Sequence, residues 1–153
     1  MLRIIVDADS CPVKAEVLRV AERYGIKVTL VANQPGRLPS QSWITEVVVA
    51  GRLDAADDWI VENLEENDIV ISADIPLAAR CLKNGGRVLG PKGLLFTSRS
   101  IGTALAVRDL MTHLRDIGLP TEGSEPFNKN DRSHFLQALD MLVQDSLRGK
   151  IER

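Results

Sequence analysis

The sequence of 153 residues lacks the features that mark several classes of protein. Its two cysteines, Cys11 and Cys81, are too few for a disulfide framework and lack zinc-ligand spacing, so we expect both to be reduced. Aromatic residues make up only 4% of the chain, which predicts a mostly aliphatic core. No apolar run approaches the roughly 20 residues of a membrane-spanning helix, and the first residues do not resemble a signal peptide. We therefore expect a cytoplasmic protein with no membrane partner.

A large excess of charge is also absent. The net charge of -2 argues against a protein that coats nucleic acid through bulk charge, although it leaves room for a local basic patch. The hydrophobic fraction of 44% is ordinary for a globular protein, and the length is typical of one domain. None of these properties indicates an oligomeric state.

Short apolar runs alternate with helix-length amphipathic segments along the chain. The pattern predicts strands at residues 2–8, 26–33, 44–50, 68–74 and 87–90, and helices at 12–25, 54–67, 75–86, 100–117 and 132–147. A polar connection at 118–131 separates the last two helices. Such alternation indicates an α/β fold, a three-layer α/β/α sandwich with a mostly parallel sheet. Ligands of such sheets bind at the carboxyl ends of the strands.

Aspartates fall where these predicted strands end. Asp7 and Asp9 close the first strand, and residues two apart in a strand point to the same side. Asp74 closes the fourth strand. Asp57 lies in the first turn of a helix, on the apolar stripe that faces the sheet. We therefore expect four carboxylates from three strand–helix units to converge on one edge of the sheet.

Converging carboxylates repel one another unless a cation neutralises them. A hard divalent ion with oxygen ligands is the natural partner, so we predict Mg²⁺ or Mn²⁺ at this edge, where it would activate a water molecule. Helix capping is the competing interpretation, because aspartate is a common N-cap. It suits Asp54 and Asp131 well and applies in part to Asp74. Asp7 has no capping duty, and an unpaired Asp57 on an apolar stripe would be costly.

Other residues are candidates for contacts to a substrate. Asn33 ends the second strand and can reach the same edge, although it equally suits a turn. The segment GPKG, with Gly90 and Gly93, allows backbone to approach a phosphate but is not a P-loop. Four basic side chains are candidates for steadying a phosphate: Lys14, Lys92, Arg108 and Arg132. Most such side chains in proteins are solvated or ion-paired.

The chain resembles the YaiI/YqxD family of bacterial proteins. The matching segments, spread over nearly the whole length, are VDADSCPVK, LVANQ, DAADDWIV, DIVISADIPLAA, GPKG, RDLMTHLRDIG and NDRSHF. The resemblance implies a PIN-like, Rossmann-like fold related to metal-dependent ribonucleases. It assigns Asp7, Asp9, Asp57 and Asp74 to the acidic site. It also matches the late pair Asp131–Arg132, and it places Ser72 where many members carry threonine.

Three functions compete at this point. The first is a Mg²⁺- or Mn²⁺-dependent nuclease for RNA or single-stranded nucleic acid, in which the four acids hold the metal. The second is a haloacid dehalogenase-like phosphatase with Asp7 as nucleophile and Asp9 as general acid. The residues Ser10-Cys11 and the lack of a clear catalytic lysine speak against that reading. The third is a nucleic-acid or nucleotide-binding module without catalysis.

Overall fold

The computed structural model describes residues 1–9, 11–37, 39–52, 54–119 and 126–149. Its centre is a six-stranded sheet in the order β3-β2-β1-β4-β5-β6. The strands are β1 (Arg3–Asp7), β2 (Lys27–Ala32), β3 (Ile44–Val48), β4 (Ile69–Ile71), β5 (Arg87–Leu89) and β6 (Leu95–Phe96). Each strand in the series β3-β2-β1-β4-β5 pairs in parallel with its neighbours, and β6 pairs antiparallel with β5. The predicted mostly parallel sheet is confirmed.

Helices cover both faces of the sheet. They are α1 (Lys14–Tyr24), α2 (Ala55–Asn63), α3 (Ile75–Lys83), α4 (Ser98–Asp116) and α5 (Lys129–Leu147). One apolar core joins the sheet to α1 and α5, and a second joins it to α2 and α3. Helix α4 packs on α3, and none of its described side chains is fully buried. The α/β class and the layered arrangement are therefore as the sequence predicts.

The alternation of side chains along β1 directs its last residue to one of these cores. Ile4 and Val6 belong to the core under α1 and α5, whereas Ile5 belongs to the core under α2 and α3. Because successive residues of a strand point to opposite faces, the Asp7 side chain points to the same face as that of Ile5. It therefore lies on the side of α2, which carries Asp57, and of α3, which follows Asp74.

The predicted helix caps are only partly correct. Helix α5 begins at Lys129, three residues before the expected start, because Asn128 and Asp131 form a capping box. The Asn128 side chain accepts from the Asp131 backbone N–H at 3.0 Å, and the Asp131 carboxylate accepts from the Asn128 N–H at 3.0 Å. Asp131 as the N-cap is therefore wrong. Asp54 does precede α2, but its side chain makes no capping hydrogen bond and lies 3.5 Å from Arg52.

Two further differences concern short segments. The sequence pattern did not predict β6, which has only two residues and therefore no measurable alternation. Part of the predicted polar connection, residues 120–125, lies outside the described residues, as does Ser10. Among the described helices, none combines the length and the apolar composition that a bilayer crossing requires.

Candidate active site

The candidate site lies where the order of the strands in the sheet reverses. The chain places β2 and β3 on one side of β1, and β4 and β5 on the other. Such a switch point opens a crevice at the carboxyl ends of the two central strands, here β1 and β4. A cavity of about 330 Å³ occupies this position, and we call it the acidic cavity. Its lining includes Asp7, Asp9, Cys11, Ser72, Asp74 and Pro91.

Asp7 is tied to the end of the neighbouring strand. The Ser72 hydroxyl donates to Asp7 Oδ2 at 2.9 Å, and the Asp74 backbone N–H donates to Ser72 Oγ at 3.0 Å. Burial raises the pKa of Asp7 to about 6, the Ser72 hydrogen bond opposes this rise, and the charges of Asp57, Asp74 and Asp9 add to it. Burial is thus the largest cause of the raised pKa of Asp7, and repulsion from the other three acids adds to it.

Asp57 influences the acidic cavity through its charge. Burial, with the charge of Asp74, raises the pKa of the Asp57 carboxyl. Its neighbour Asp58 is ion-paired with Arg52 at 2.6 Å and with Arg80 at 3.0 Å, whereas the Asp57 side chain has no hydrogen bond or ion pair with a described residue. Asp57 does not line the acidic cavity. Three of the four predicted acids share that cavity, and the fourth is coupled to them through its charge.

Asp74 has the structural role that the sequence left open. Its Oδ1 accepts from the Leu77 backbone N–H at 3.0 Å, so Asp74 is the N-cap of α3. It also lines the acidic cavity, with the carboxylate at the N-terminal end of the helix dipole. Capping and lining the cavity are compatible, because a carboxylate has two oxygens.

Two substitutions of Asp74 separate these roles. Asparagine caps as well as aspartate, so Asp74→Asn keeps the cap and removes the charge, whereas Asp74→Ala loses both. In EDTA we expect Asp74→Asn to melt above wild type, because repulsion falls. We expect Asp74→Ala to be about 1 kcal/mol less stable than Asp74→Asn, or roughly 2–4 °C in melting temperature. Equal melting of the two variants would show that the cap contributes nothing.

Asn33 does not line the acidic cavity but contacts Asp9, which does. Its backbone N–H donates to Asp9 Oδ2 at 2.9 Å and holds that carboxylate in place. Its side-chain Oδ1 is buried and has no hydrogen-bond partner among the described residues. Buried oxygens without a partner are rare in folded proteins. The contact that links Asn33 to the site is therefore its backbone N–H and not this side-chain oxygen.

Whether a divalent ion fits this site depends on its donor atoms and on its size. The donors are hard oxygens, which suits Mg²⁺ or Mn²⁺. Within the described residues, however, no three histidine, cysteine, aspartate or glutamate side chains are close enough together to hold a bare ion. Mg²⁺ commonly keeps several waters and binds through one or two carboxylates. Six waters occupy roughly 180 Å³ at about 30 Å³ each, so the cavity of about 330 Å³ accommodates a hydrated ion.

Basic side chains lie beside the acidic cavity and not in it. Lys14 and Arg37 line an adjoining cavity of about 240 Å³, which shares Asp9 with the acidic cavity. On the other side, Lys92 follows Pro91, a residue of the acidic cavity itself. The described lining of the acidic cavity contains no lysine or arginine. The phosphatase hypothesis, which needs such a cation next to Asp7, therefore gains no support from it.

The remaining predicted contacts are placed differently. Arg132 donates to the Pro12 carbonyl at 2.9 Å and to the Glu16 carboxylate at 2.6 Å, so it is anchored between α1 and α5. Arg108 is exposed on α4 and does not line the acidic cavity. Cys11 does line it, but burial raises the pKa of its thiol, which suits a structural and not a nucleophilic cysteine. Cys11 and Cys81 are both free, as expected.

Comparisons with known proteins agree with the resemblance. The model of a family described as an uncharacterised YaiI/YqxD family matches residues 5–145. A UPF0178 protein of Rhodospirillum centenum is 51% identical over 154 residues, covering 98% of this chain and 100% of the relative. A UPF0178 protein of Rhodopseudomonas palustris is 52% identical, with coverages of 94% and 91%. The names of these relatives state no activity, and no solved structure matches this chain.

Proposed function

The chain belongs to the YaiI/YqxD family, and from its site we propose that it is a Mg²⁺- or Mn²⁺-dependent nuclease that acts on RNA or single-stranded nucleic acid. One observation carries the proposal: Asp7, Asp9 and Asp74 line a single cavity at the switch point of the sheet. Acids gathered there at a cost in repulsion are typical of a functional site and unusual for a purely structural one.

The carboxylates have distinct parts in this proposal. Asp7, oriented by Ser72, would anchor the ion, and Asp9 and Asp74 would hold it through water. When bound, the ion lowers the pKa of a water ligand and stabilises negative charge on a phosphoryl oxygen. One carboxylate of the cavity orients the attacking water. Asp57 contributes negative charge from α2, which strengthens the attraction for a cation.

The charges around the cavity indicate how a strand would lie. Lys14 and Arg37 are on one side of it, and Lys92 is on the other, so cations flank the acids in both directions. A phosphate backbone that crosses the cavity would meet a positive charge before and after the scissile position. These contacts are few, so the binding should be weak and salt-sensitive. A flexible single strand can bend into such a cavity, whereas a duplex cannot.

The direct test is cleavage of a labelled single-stranded RNA with Mn²⁺. We expect slow cleavage, no cleavage in EDTA and little cleavage of the matching duplex. Lys92→Ala should mainly weaken binding, by about 1 kcal/mol or roughly fivefold, because it removes a phosphate contact. Exposed Lys27, at the start of β2 and so at the opposite edge of the sheet, offers a matched control, and Lys27→Ala should leave binding unchanged. Equal cleavage of duplex and single strand would contradict the proposed geometry.

A second function, a non-catalytic module for nucleic acid or nucleotides, is favoured by one observation. The described acids are not drawn together as the ligands of a bare ion. RNA binding of equal strength in Mn²⁺ and in EDTA, without cleavage by wild type, would establish the module and end the nuclease proposal.

A further inference from the structure

A second large cavity opens next to the acidic cavity. It has a volume of about 520 Å³ and shares Ala73 and Pro91 with the acidic cavity. We call it the apolar groove. The residues of its lining that matter here are Pro12, Ile75, Lys92, Leu94, Phe96 and Phe127. Because the acidic cavity and the apolar groove share part of their lining, neighbouring parts of one ligand would occupy them.

Ala73 and Pro91 line both cavities, and Pro91 belongs to the segment GPKG at residues 90–93. Gly90 N–H donates to the Leu94 carbonyl at 2.8 Å, and Gly93 N–H donates to the Gly90 carbonyl at 2.9 Å, so the turn is closed. Gly93 has a φ of +90°, and a Cβ there would come within 3.0 Å of the His134 backbone. The turn is therefore fixed against α5, with Pro91 between the cavities and Lys92 exposed beside them.

Phe127 forms an aromatic wall of the groove. The Arg132 guanidinium lies over its ring at 5.0 Å from the centroid, and that guanidinium is itself held by Pro12 and Glu16. The next residue, Asn128, starts the capping box of α5 and fixes the backbone. The ring is thus held in one orientation before any ligand binds, so little conformational entropy is lost when a flat group stacks on it.

Leu94 gives the groove an apolar mouth. Its side chain is 62% exposed, whereas Phe96 at the inner end is only 7% exposed. The groove therefore leads from solvent to a buried aromatic ring and offers apolar contact along its depth. A flat ligand with apolar faces fits such a lining better than a charged one.

We infer that the apolar groove binds one unpaired nucleobase, next to the phosphodiester group that occupies the acidic cavity. The inference rests on the proposed function, because it takes the backbone to lie across the acids. One nucleotide contains both groups that fit here. Its phosphate suits the acidic cavity, which basic side chains border, and its flat base suits the apolar groove. A base can enter only if it is turned away from a partner strand, so the groove selects single strands.

The test is binding in EDTA, where no cleavage occurs. A labelled single strand is compared with a strand of the same length and charge that carries stable abasic sites. Because the charges are equal, the ratio of the two dissociation constants isolates the base contact. Stacking on an aromatic side chain contributes about 1–3 kcal/mol, so wild type should prefer the base-bearing strand about tenfold.

Substitutions then assign that preference to the groove. Phe127→Ala should reduce the ratio to about one, and Phe127→Trp should restore it. Because Phe127 also contacts the core, the exposed Leu94→Ala serves as a second variant, with an expected loss of about threefold. Met141→Ala, an equally exposed apolar side chain on the far part of α5, should change nothing.

The outcomes separate this inference from the nuclease proposal. A base preference that depends on Phe127, without cleavage in Mn²⁺, would sustain the nucleobase site and end the nuclease proposal. Cleavage in Mn²⁺ with equal binding of the base-bearing and abasic strands would sustain the nuclease and overturn the nucleobase site. Failure of the Asp7→Asn protein, which lacks one repelling carboxylate, to bind either strand in EDTA would also overturn it, as would a preference unchanged in both groove variants.

Discussion

Asp7→Asn is expected to lower the rate of single-strand cleavage by about 10²-fold or more, which corresponds to roughly 2.7 kcal/mol of transition-state stabilisation. Asp7 lies at the end of β1, where its carboxylate accepts a hydrogen bond from Ser72 at 2.9 Å. Asparagine has the same size and can accept the same hydrogen bond, so the fold should be retained. What is lost is the charge that anchors a divalent ion.

The measurement is cleavage of labelled single-stranded RNA in Mn²⁺ by proteins prepared identically. Asp109→Asn, the same change at an exposed position on α4, is the matched control and should cleave at the wild-type rate. Equal rates for wild type and Asp7→Asn would show that the cleavage comes from a contaminating nuclease or from another site.

The second large effect is on stability. In EDTA at pH 8, Asp7→Asn should be more stable than wild type by about 2 kcal/mol, a rise of roughly 4–8 °C in melting temperature. The pKa of Asp7 rises from 3.8 to about 6 on folding. A rise of this size corresponds to about 3 kcal/mol, which we reduce to about 2 kcal/mol because the carboxyl is only partly buried.

The sign of this effect follows from proton linkage. The folded protein binds the Asp7 proton more tightly than the unfolded chain does, because the pKa is raised. Stability that derives from the protonated carboxyl is fully present below pH 3.8 and is lost as the pH rises through about 6. Asparagine does not titrate, so the advantage of the variant should grow across this window and be absent near pH 4.

Adding Mn²⁺ at pH 8 should reverse the order of the two proteins. A ligand at 100 times its dissociation constant stabilises by about 2.7 kcal/mol, and only wild type retains the anchoring charge. Melting curves at several pH values, with EDTA and with Mn²⁺, provide the measurement. Parallel pH dependence of wild type and Asp7→Asn would contradict the raised pKa, and the absence of any Mn²⁺ shift in wild type would contradict the metal site.

Part of the candidate site could be predicted from the sequence. Asp7 and Asp74 could be placed at one edge because strand ends are visible as the limits of apolar runs, and parallel strands end together. The structure couples Asp57 to these acids through its charge, but periodicity indicated only the face of the helix on which it lies. It could not show that Asp57 lies outside the acidic cavity, because that depends on how far α2 stands from the ends of β1 and β4.

Aromatic and polar details were not readable in the same way. Phe127 lies in a stretch that the sequence pattern presents as polar connection, with no periodicity to mark it. Its importance arises only when Arg132 covers one side of its ring and the turn at Pro91 brings the groove beside the acids. These contacts join residues far apart in the chain, and local propensity contains no information about them.

The sequence by itself determined the α/β class, the parallel sheet and the edge at which the acids gather, because each depends on local periodicity and on the rule that parallel strands share an end. The tertiary structure decided the rest: which acids face one cavity, the raised pKa of Asp7, the caps at Asn128 and Asp74, and the groove next to the acids. These depend on distances and burial set by the packing of α2, α3 and α5 on the sheet. Such packing is a property of the whole fold, so no single segment encodes it.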